Sequence, residues 1–143
     1  MDVVLGTKFD TARADELASY RVKSETDSHC RTLRVPGSVC RKSNSADLGM
    51  VGPDQFESPT LDVVYLNLPE PLEADSEYAV VFSGSELPAQ KFICDPVSLR
   101  SEAVHVSQSG FRPDDPAKLA FLSCWLGNGG GQHYEPGLPF KVL

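Results

Sequence analysis

Acidic and histidine side chains are the residues of this chain best suited to acid–base or metal chemistry. Asp114 and Asp115 form an adjacent acidic pair. Neighbouring side chains on an extended turn point to opposite sides, so a shared catalytic site is not expected there. Both residues instead favour turns, because their carboxylates bond to nearby backbone amides. The three histidines lack the spacing of metal ligands, and no metal site is predicted from them; they are His29, His105 and His133.

Nucleophile and cofactor motifs are missing from the sequence. There is no G-x-S-x-G elbow, P-loop, dinucleotide fingerprint or EF-hand loop. The four cysteines also lack C-x-x-C spacing, which excludes the common zinc and redox motifs. Two interpretations stay open for Cys30 and Cys40: a disulfide bridge across a hairpin, or two buried free thiols. Cys94 and Cys124 are predicted to lie in the core. The sequence therefore predicts no catalytic residues and no cofactor.

Trp125 and Tyr134 are the candidate contact residues of the sequence. Aromatic faces can stack on sugar rings, and the glycine-rich loop 127–131 would let a ligand approach closely. Trp125 also ends an apolar segment, where burial is the usual outcome. We therefore expect packing in the core or between domains, and keep glycan contact as the alternative.

Composition and charge exclude several classes of protein. The net charge of −7 and the pI of about 4.8 argue against a nucleic-acid partner, which needs a clustered positive surface. A local group of basic residues is interpreted as a solvated strand face, with an anion patch as the alternative; it consists of Arg31, Arg34, Arg41 and Lys42. No apolar run approaches the roughly 20 residues of a membrane helix. The start of the chain lacks the pattern of a signal peptide, so the compartment stays open.

The pattern of apolar residues and turn residues predicts an all-β fold. Eleven prolines and eleven glycines are spread along the chain, which favours short strands joined by turns. A helical or irregular connection is predicted over residues 11–17, with Asp10 or Thr11 as its N-cap, and a long polar loop over 43–59. Strands are predicted over 3–9, 20–23, 61–68, 78–82 and 91–94, with a hairpin of 30–35 and 39–42 turned by Pro36-Gly37.

Tyr78 occupies a position typical of a β-sandwich. Leu72 precedes it by six residues, and an apolar strand follows it. This spacing resembles the tyrosine corner of immunoglobulin and fibronectin-type sandwiches, in which the phenol bonds to backbone of the preceding corner. We expect a buried Tyr78 bonded to backbone within residues 72–75; the alternative is a tyrosine that merely packs at a strand start. Residues 1–97 are thus predicted to form one immunoglobulin-like β-sandwich.

The remainder of the chain restarts the strand pattern. Residues 98–102 are predicted to be a linker. A strand containing Val104 and Val106 and an apolar strand over 119–126 then follow. Two or three strands cannot cover two sheet faces, so residues 103–143 are interpreted as the start of a second immunoglobulin-like domain that is incomplete.

A motif in this second part resembles a known family. The pattern V-x-Q-x-G-[YF]-x-P, followed by a lysine and an apolar run, resembles the opening of the immunoglobulin-like domain that precedes the catalytic barrel in family 9 glycoside hydrolases, the cellulases and endoglucanases. Ser107 replaces the usual asparagine. The matching positions are Val106, Gln108, Gly110, Phe111, Pro113 and Lys118.

The resemblance implies a non-catalytic accessory role in polysaccharide degradation. The catalytic carboxylates of that family lie in a helical barrel with an Asp-Ala-Gly-Asp motif, and neither is found in this sequence. The expected partner is the catalytic domain of the same polypeptide, braced by this region, with polysaccharide as a further partner. The parent protein would be an O-glycosyl hydrolase and a candidate for secretion. The alternative is a free-standing β-sandwich module that binds glycan or protein. The hypothesis that this chain is itself an enzyme has the least support.

Overall fold

The computed structural model describes residues 10–46, 48–99, 101–107 and 109–139. These residues form an all-β, sandwich-like fold of antiparallel strands. A short helix, α1 (Thr11–Ala14), comes first. The strands that follow are β1 (Tyr20–Ser24), β2 (Ser38–Ser45), β3 (Gly49–Gly52), β4 (Gln55–Glu57), β5 (Thr60–Asn67), β6 (Glu77–Phe82), β7 (Gln90–Ile93), β8 (Val104–Val106) and β9 (Ala120–Leu122). Turns of 3₁₀ helix lie at Leu17–Ser19, Ser28–Cys30 and Gly127–Gly129.

Two sheets form the sandwich and two hairpins extend from it. Strands β1, β6 and β7 make one sheet in the order β1-β6-β7, and β2 pairs with β5 along the whole of both strands. The two hairpins are β3–β4 and β8–β9. All of these pairs are antiparallel.

The hydrophobic core is small and lies around β1 and β6. Tyr20, Val22, Tyr78 and Val80 are buried there. Alternation along β1 directs Tyr20, Val22 and Ser24 to the buried side. Full burial of one large apolar side chain contributes roughly 1.5–3 kcal/mol. Half-buried residues of both sheets and their connections complete the core: Cys30, Val39, Val64, Leu66, Leu68, Leu72, Phe82, Phe92 and Cys94.

The structure confirms much of the strand order and the helix cap. Asp10 is the N-cap of α1, and its Oδ1 accepts from Ala12 N at 3.1 Å. The strands predicted over 20–23, 61–68, 78–82 and 91–94 are present as β1, β5, β6 and β7 within two residues at each end. The strand predicted over 3–9 lies outside the described residues.

The predicted hairpin of 30–35 and 39–42 is wrong. Residues Ser28–Cys30 form a 3₁₀ turn, and in the following stretch Arg34 makes a single bridge to Val22. Strand β2 pairs with β5 instead, so its apolar residues lie against those of β5. Pro36-Gly37 is a local signal for a hairpin turn, but pairing of β2 with the apolar strand β5, which is more distant in sequence, is the arrangement that forms.

The predicted loop over residues 43–59 is also wrong. Strand β2 continues to Ser45, and β3 and β4 then form a hairpin turned at Pro53 and Asp54. Asp54 adopts a φ of +58°, a conformation that aspartate tolerates better than most residues. The polar composition of this stretch concealed two short strands.

Candidate functional site

The β8–β9 hairpin carries an exposed apolar surface. Register places Val104 opposite Leu122, Val106 opposite Ala120, and His105 opposite Phe121. Every residue of the two strands is exposed, with Phe121 at 65%. We use the name hairpin surface for Val104, Val106, Phe121, Leu122 and Trp125. Val104, Val106 and Leu122 share one face of this ribbon and Phe121 lies on the other. Exposed apolar residues that are grouped on one element in this way are typical of interaction sites.

Trp125 lies beyond the end of β9 and is 62% exposed. Of the two kinds of packing expected for Trp125, burial in a core is therefore wrong, whereas contact with another domain stays a prediction, and so does the alternative of glycan contact. A bridge to Gly131 and a bond from Gln132 N to Cys124 O at 2.8 Å fix its backbone. Tyr134 is half-buried, and burial raises the pKa of its phenol. The ring of Trp125 thus faces solvent on a backbone that a glycine-rich turn holds in place.

The described motif residues lie at the end of β8 and in the exposed turn that leads to β9. Gly110 has a φ of +75°, and its N–H donates to Ser107 O at 3.2 Å. Lys118 Nζ donates to Pro113 O at 3.2 Å, which closes the turn. Val106 and Phe111 are exposed. Gln108 lies outside the described residues.

The adjacent acids stabilise this same turn. Asp114 pairs with Arg112 at 3.0 Å, and Asp115 Oδ1 accepts from Ala117 N at 2.9 Å. These are the local bonds expected of turn-forming acids.

An open depression of about 440 Å³ occurs elsewhere, beside the β3–β4 hairpin, and its described lining contains one carboxylate, that of Glu57. Glycoside hydrolysis usually needs two carboxylates flanking the bond.

The histidines do not converge. His29 Nδ1 lies 3.3 Å from Asp27, His133 Nε2 lies 3.4 Å from Glu135, and His105 Nε2 lies 2.9 Å from Ser123 O. In the part of the chain that the structure describes, no three histidine, cysteine or acidic residues are grouped to hold a metal ion. No helix within those same residues is long and apolar enough to cross a membrane.

The cysteines are free thiols in the structure. Cys30 lies on a 3₁₀ turn and Cys40 in β2, because the hairpin that would have placed them face to face does not form. Burial raises the pKa of the Cys30 thiol. Cys94 packs against the core, as predicted, while Cys124 is half-buried beside the hairpin surface.

Arg41 is an ion-pair residue and forms no anion patch. Its guanidinium bonds to Asp15 Oδ1 at 2.8 Å and to Asp62 Oδ1 at 2.9 Å, and hydrogen bonds to these carboxylates raise its pKa. Burial of Asp62 acts against ionisation, but hydrogen bonds from Ser43 and Arg41 lower the pKa of that carboxyl overall. The Arg41 side chain is 20% exposed, so the expectation of a solvated basic face is wrong at this position.

A docking contact that the sequence did not reveal joins the 101–139 segment to strands β2 and β5. Asn128 Oδ1 accepts from Arg41 N at 2.7 Å. Glu102 Oε2 accepts from Tyr65 Oη at 2.7 Å and lies 3.4 Å from Lys42 Nζ. The hydrogen bond from Tyr65 is the main reason that the pKa of the Glu102 carboxyl lies below its ordinary value, and Lys42 lowers it further. The partners lie 37 to 87 positions apart, so no local pattern could have indicated the contact.

Comparisons with protein-family models, with curated proteins and with solved structures find no match for this chain. The hairpin surface and the motif that it carries are the described features that bear on function.

Proposed function

We propose that this chain is a non-catalytic β-sandwich module that braces the catalytic domain of a protein resembling family 9 glycoside hydrolases. The observation that carries the proposal is the hairpin surface, whose apolar side chains are exposed on both faces of a two-stranded ribbon. A ribbon of two strands gains its stability by packing against a further element.

The motif that resembles the family occupies this same ribbon. Val106 lies in β8, and the turn from Gly110 to Lys118 leads into β9. The residues that carry the resemblance therefore shape the surface that is left exposed. A bracing role needs complementary apolar contact, which the exposed side chains of the hairpin surface offer.

Binding to a catalytic domain tests this role. A family 9 catalytic domain stripped of its own immunoglobulin-like domain would be titrated with the chain, and both the heat of binding and the thermal midpoint of the catalytic domain would be measured. We expect binding and a higher midpoint. Phe121→Ser should weaken binding by about tenfold or more, because a large aromatic anchor is removed from the contact.

Phe56→Ser is the matched control. Phe56 is an aromatic residue with 61% exposure on the β3–β4 hairpin, close to the 65% of Phe121, but outside the hairpin surface. We expect this variant to bind like the unchanged chain. Equal weakening by both substitutions, or the lack of any binding, would contradict the bracing role.

A second candidate function is glycan binding by a free-standing module, and the exposure of Trp125 favours it. Trp125 is the single tryptophan of the chain, so tryptophan fluorescence reports on this position alone. Cello-oligosaccharides that stack on its ring should quench or shift that emission. Saturable quenching without affinity for a catalytic domain would favour this second function over the first.

A further inference from the structure

The β3–β4 hairpin continues the ladder of β2 and β5 away from the core. Ala46 N donates to Pro59 O at 2.8 Å, at the junction between the two ladders. Residues 38–67 therefore form one antiparallel ribbon. Among the described residues, β3 and β4 pair only with each other, and neither strand contributes to the hydrophobic core. We use the name ribbon tip for residues 49–57.

One face of the ribbon tip is apolar and exposed. Met50 and Phe56 are direct cross-strand partners, so their side chains lie side by side on the same face. Met50 is 70% exposed and Phe56 is 61% exposed. Val64 and Leu66, which belong to the same ribbon, pack instead against the core. The pair at the tip thus offers apolar area for a partner to cover.

The opposite face of the ribbon tip borders a depression of mixed chemistry. Glu57 follows Phe56 in β4, so its side chain points to this opposite face. A register shift after Met50 leaves Val51 in a β-bulge, which redirects its side chain. The depression of about 440 Å³ is lined by Gly49, Val51, Glu57, Ser58 and Pro59. Apolar walls beside one carboxylate match an arginine or lysine side chain, because its stem is aliphatic and its end is cationic.

Charge decides which kind of partner fits the ribbon tip. Residues 43–90 contain acidic residues but no lysine, arginine or histidine. Asp54 and Glu57 are exposed at the tip, and neither takes part in an ion pair between described residues. A cationic partner is therefore attracted to this end of the ribbon, whereas an anionic partner is repelled.

We propose that the ribbon tip is a docking site for an extended polypeptide segment in which apolar and basic residues alternate. Successive side chains of an extended segment point to opposite faces. A segment added at the edge of the hairpin through main-chain hydrogen bonds would thus place its apolar residues beside Met50 and Phe56, and an arginine or lysine beside Glu57. This site shares no residue with the hairpin surface, so it goes beyond the bracing role.

Binding of synthetic peptides tests the proposal. A short fluorescein-labelled peptide that alternates leucine and arginine would be titrated with the chain, and its fluorescence anisotropy would be measured. We expect saturable binding that weakens as salt is added. Phe56→Ser should weaken it by about tenfold, because an aromatic anchor is removed. Glu57→Gln should weaken it as well and reduce its salt dependence. A peptide that alternates leucine and glutamate should not bind.

Matched substitutions away from the ribbon tip are the controls. Phe121→Ser removes an aromatic residue of similar exposure from the hairpin surface, and Glu86→Gln removes an exposed carboxylate between β6 and β7. Both variants should bind the arginine peptide like the unchanged chain. All four substituted positions are exposed, so each variant should keep the urea transition of the unchanged chain.

Four outcomes would overturn docking at the ribbon tip. They are equal weakening by the two phenylalanine substitutions, equal weakening by the two glutamate substitutions, binding of the glutamate peptide as tight as that of the arginine peptide, and the lack of saturable binding. If the arginine peptide does not bind while phosphatidylcholine vesicles bind the chain and lose this binding in Phe56→Ser, the exposed pair is a contact for lipid and the proposal is wrong.

Discussion

The hydroxyl of Tyr78 donates to Asp27 Oδ2 at 2.5 Å, and the two residues lie 51 positions apart. The same hydroxyl accepts from Glu73 N at 2.8 Å. Tyr78 has 0% exposure and Asp27 has 1%, so both groups are removed from water while fully bonded. Asp27 also caps the turn Ser28–Cys30 through His29 N at 2.8 Å. One buried phenol therefore ties the start of β6 to the preceding corner and to the loop that follows β1.

Tyr78→Phe should destabilise the sandwich while retaining the packing of the ring on Phe92. The substitution leaves Asp27 and the Glu73 amide without this partner, and we expect a loss of about 1 kcal/mol in the free energy of unfolding, measured in urea. Tyr65→Phe is the control, because its bond to Glu102 is exposed and should matter less. An unchanged midpoint for Tyr78→Phe would contradict the corner assignment.

Acidification should destabilise the protein through Asp27. The hydrogen bond from Tyr78 is the main reason that the pKa of Asp27 lies below its ordinary value. A carboxyl with a depressed folded pKa contributes stability that is present above the unfolded pKa, about 3.9 for aspartate, and is lost as pH falls through the folded pKa. Urea unfolding between about pH 7 and about pH 3 measures this dependence. Asp27→Asn should be less stable near neutrality and should show a flatter profile; an unchanged profile would exclude this role for Asp27.

Gly127→Ala should loosen the docked segment. The new methyl group would overlap the Arg41 carbonyl oxygen, and the φ of +69° at this position is unfavourable for alanine. Hydrogen exchange should show weaker protection of the Arg41 amide, which donates to Asn128. Gly131→Ala is the matched control, because a Cβ there meets nothing within 4 Å. Equal protection in the two variants would argue against close contact of this turn.

Removal of residues 101–143 should leave a cooperative, soluble sandwich. The described core lies between Tyr20 and Cys94, so the truncated chain keeps all of it. A single urea transition, close to that of the complete chain, is the expected result. If the truncated chain is unfolded while the complete chain folds as a monomer, the division into a sandwich and a second unit is incorrect.

The chain alone should not hydrolyse glycosidic bonds. The described depression beside the β3–β4 hairpin is lined by one carboxylate, whereas two positioned carboxylates are usually required. Reducing-sugar release from a soluble cellulose derivative measures this activity. Turnover that disappears in Asp114→Asn or Asp115→Asn would contradict the expectation.

The sequence by itself determined the all-β class, the order of the main strands and the burial of Tyr78. These features depend on local alternation, on proline and glycine positions and on the spacing from Leu72 to Tyr78, all of which are readable over a few residues. The Asp10 cap and the turn built by Asp114 and Asp115 are local in the same sense.

Only the tertiary structure decided which strands pair and which side chains meet. The pairing of β2 with β5, the Tyr78–Asp27 bond and the docking of Asn128 on Arg41 join residues that are about 15 to 90 positions apart. Such contacts depend on how the whole chain closes on itself, and the composition of a short stretch does not encode them. For the same reason the exposure of Trp125 differed from its local prediction: an apolar segment is buried only where another element covers it, and in the described structure none covers the hairpin surface.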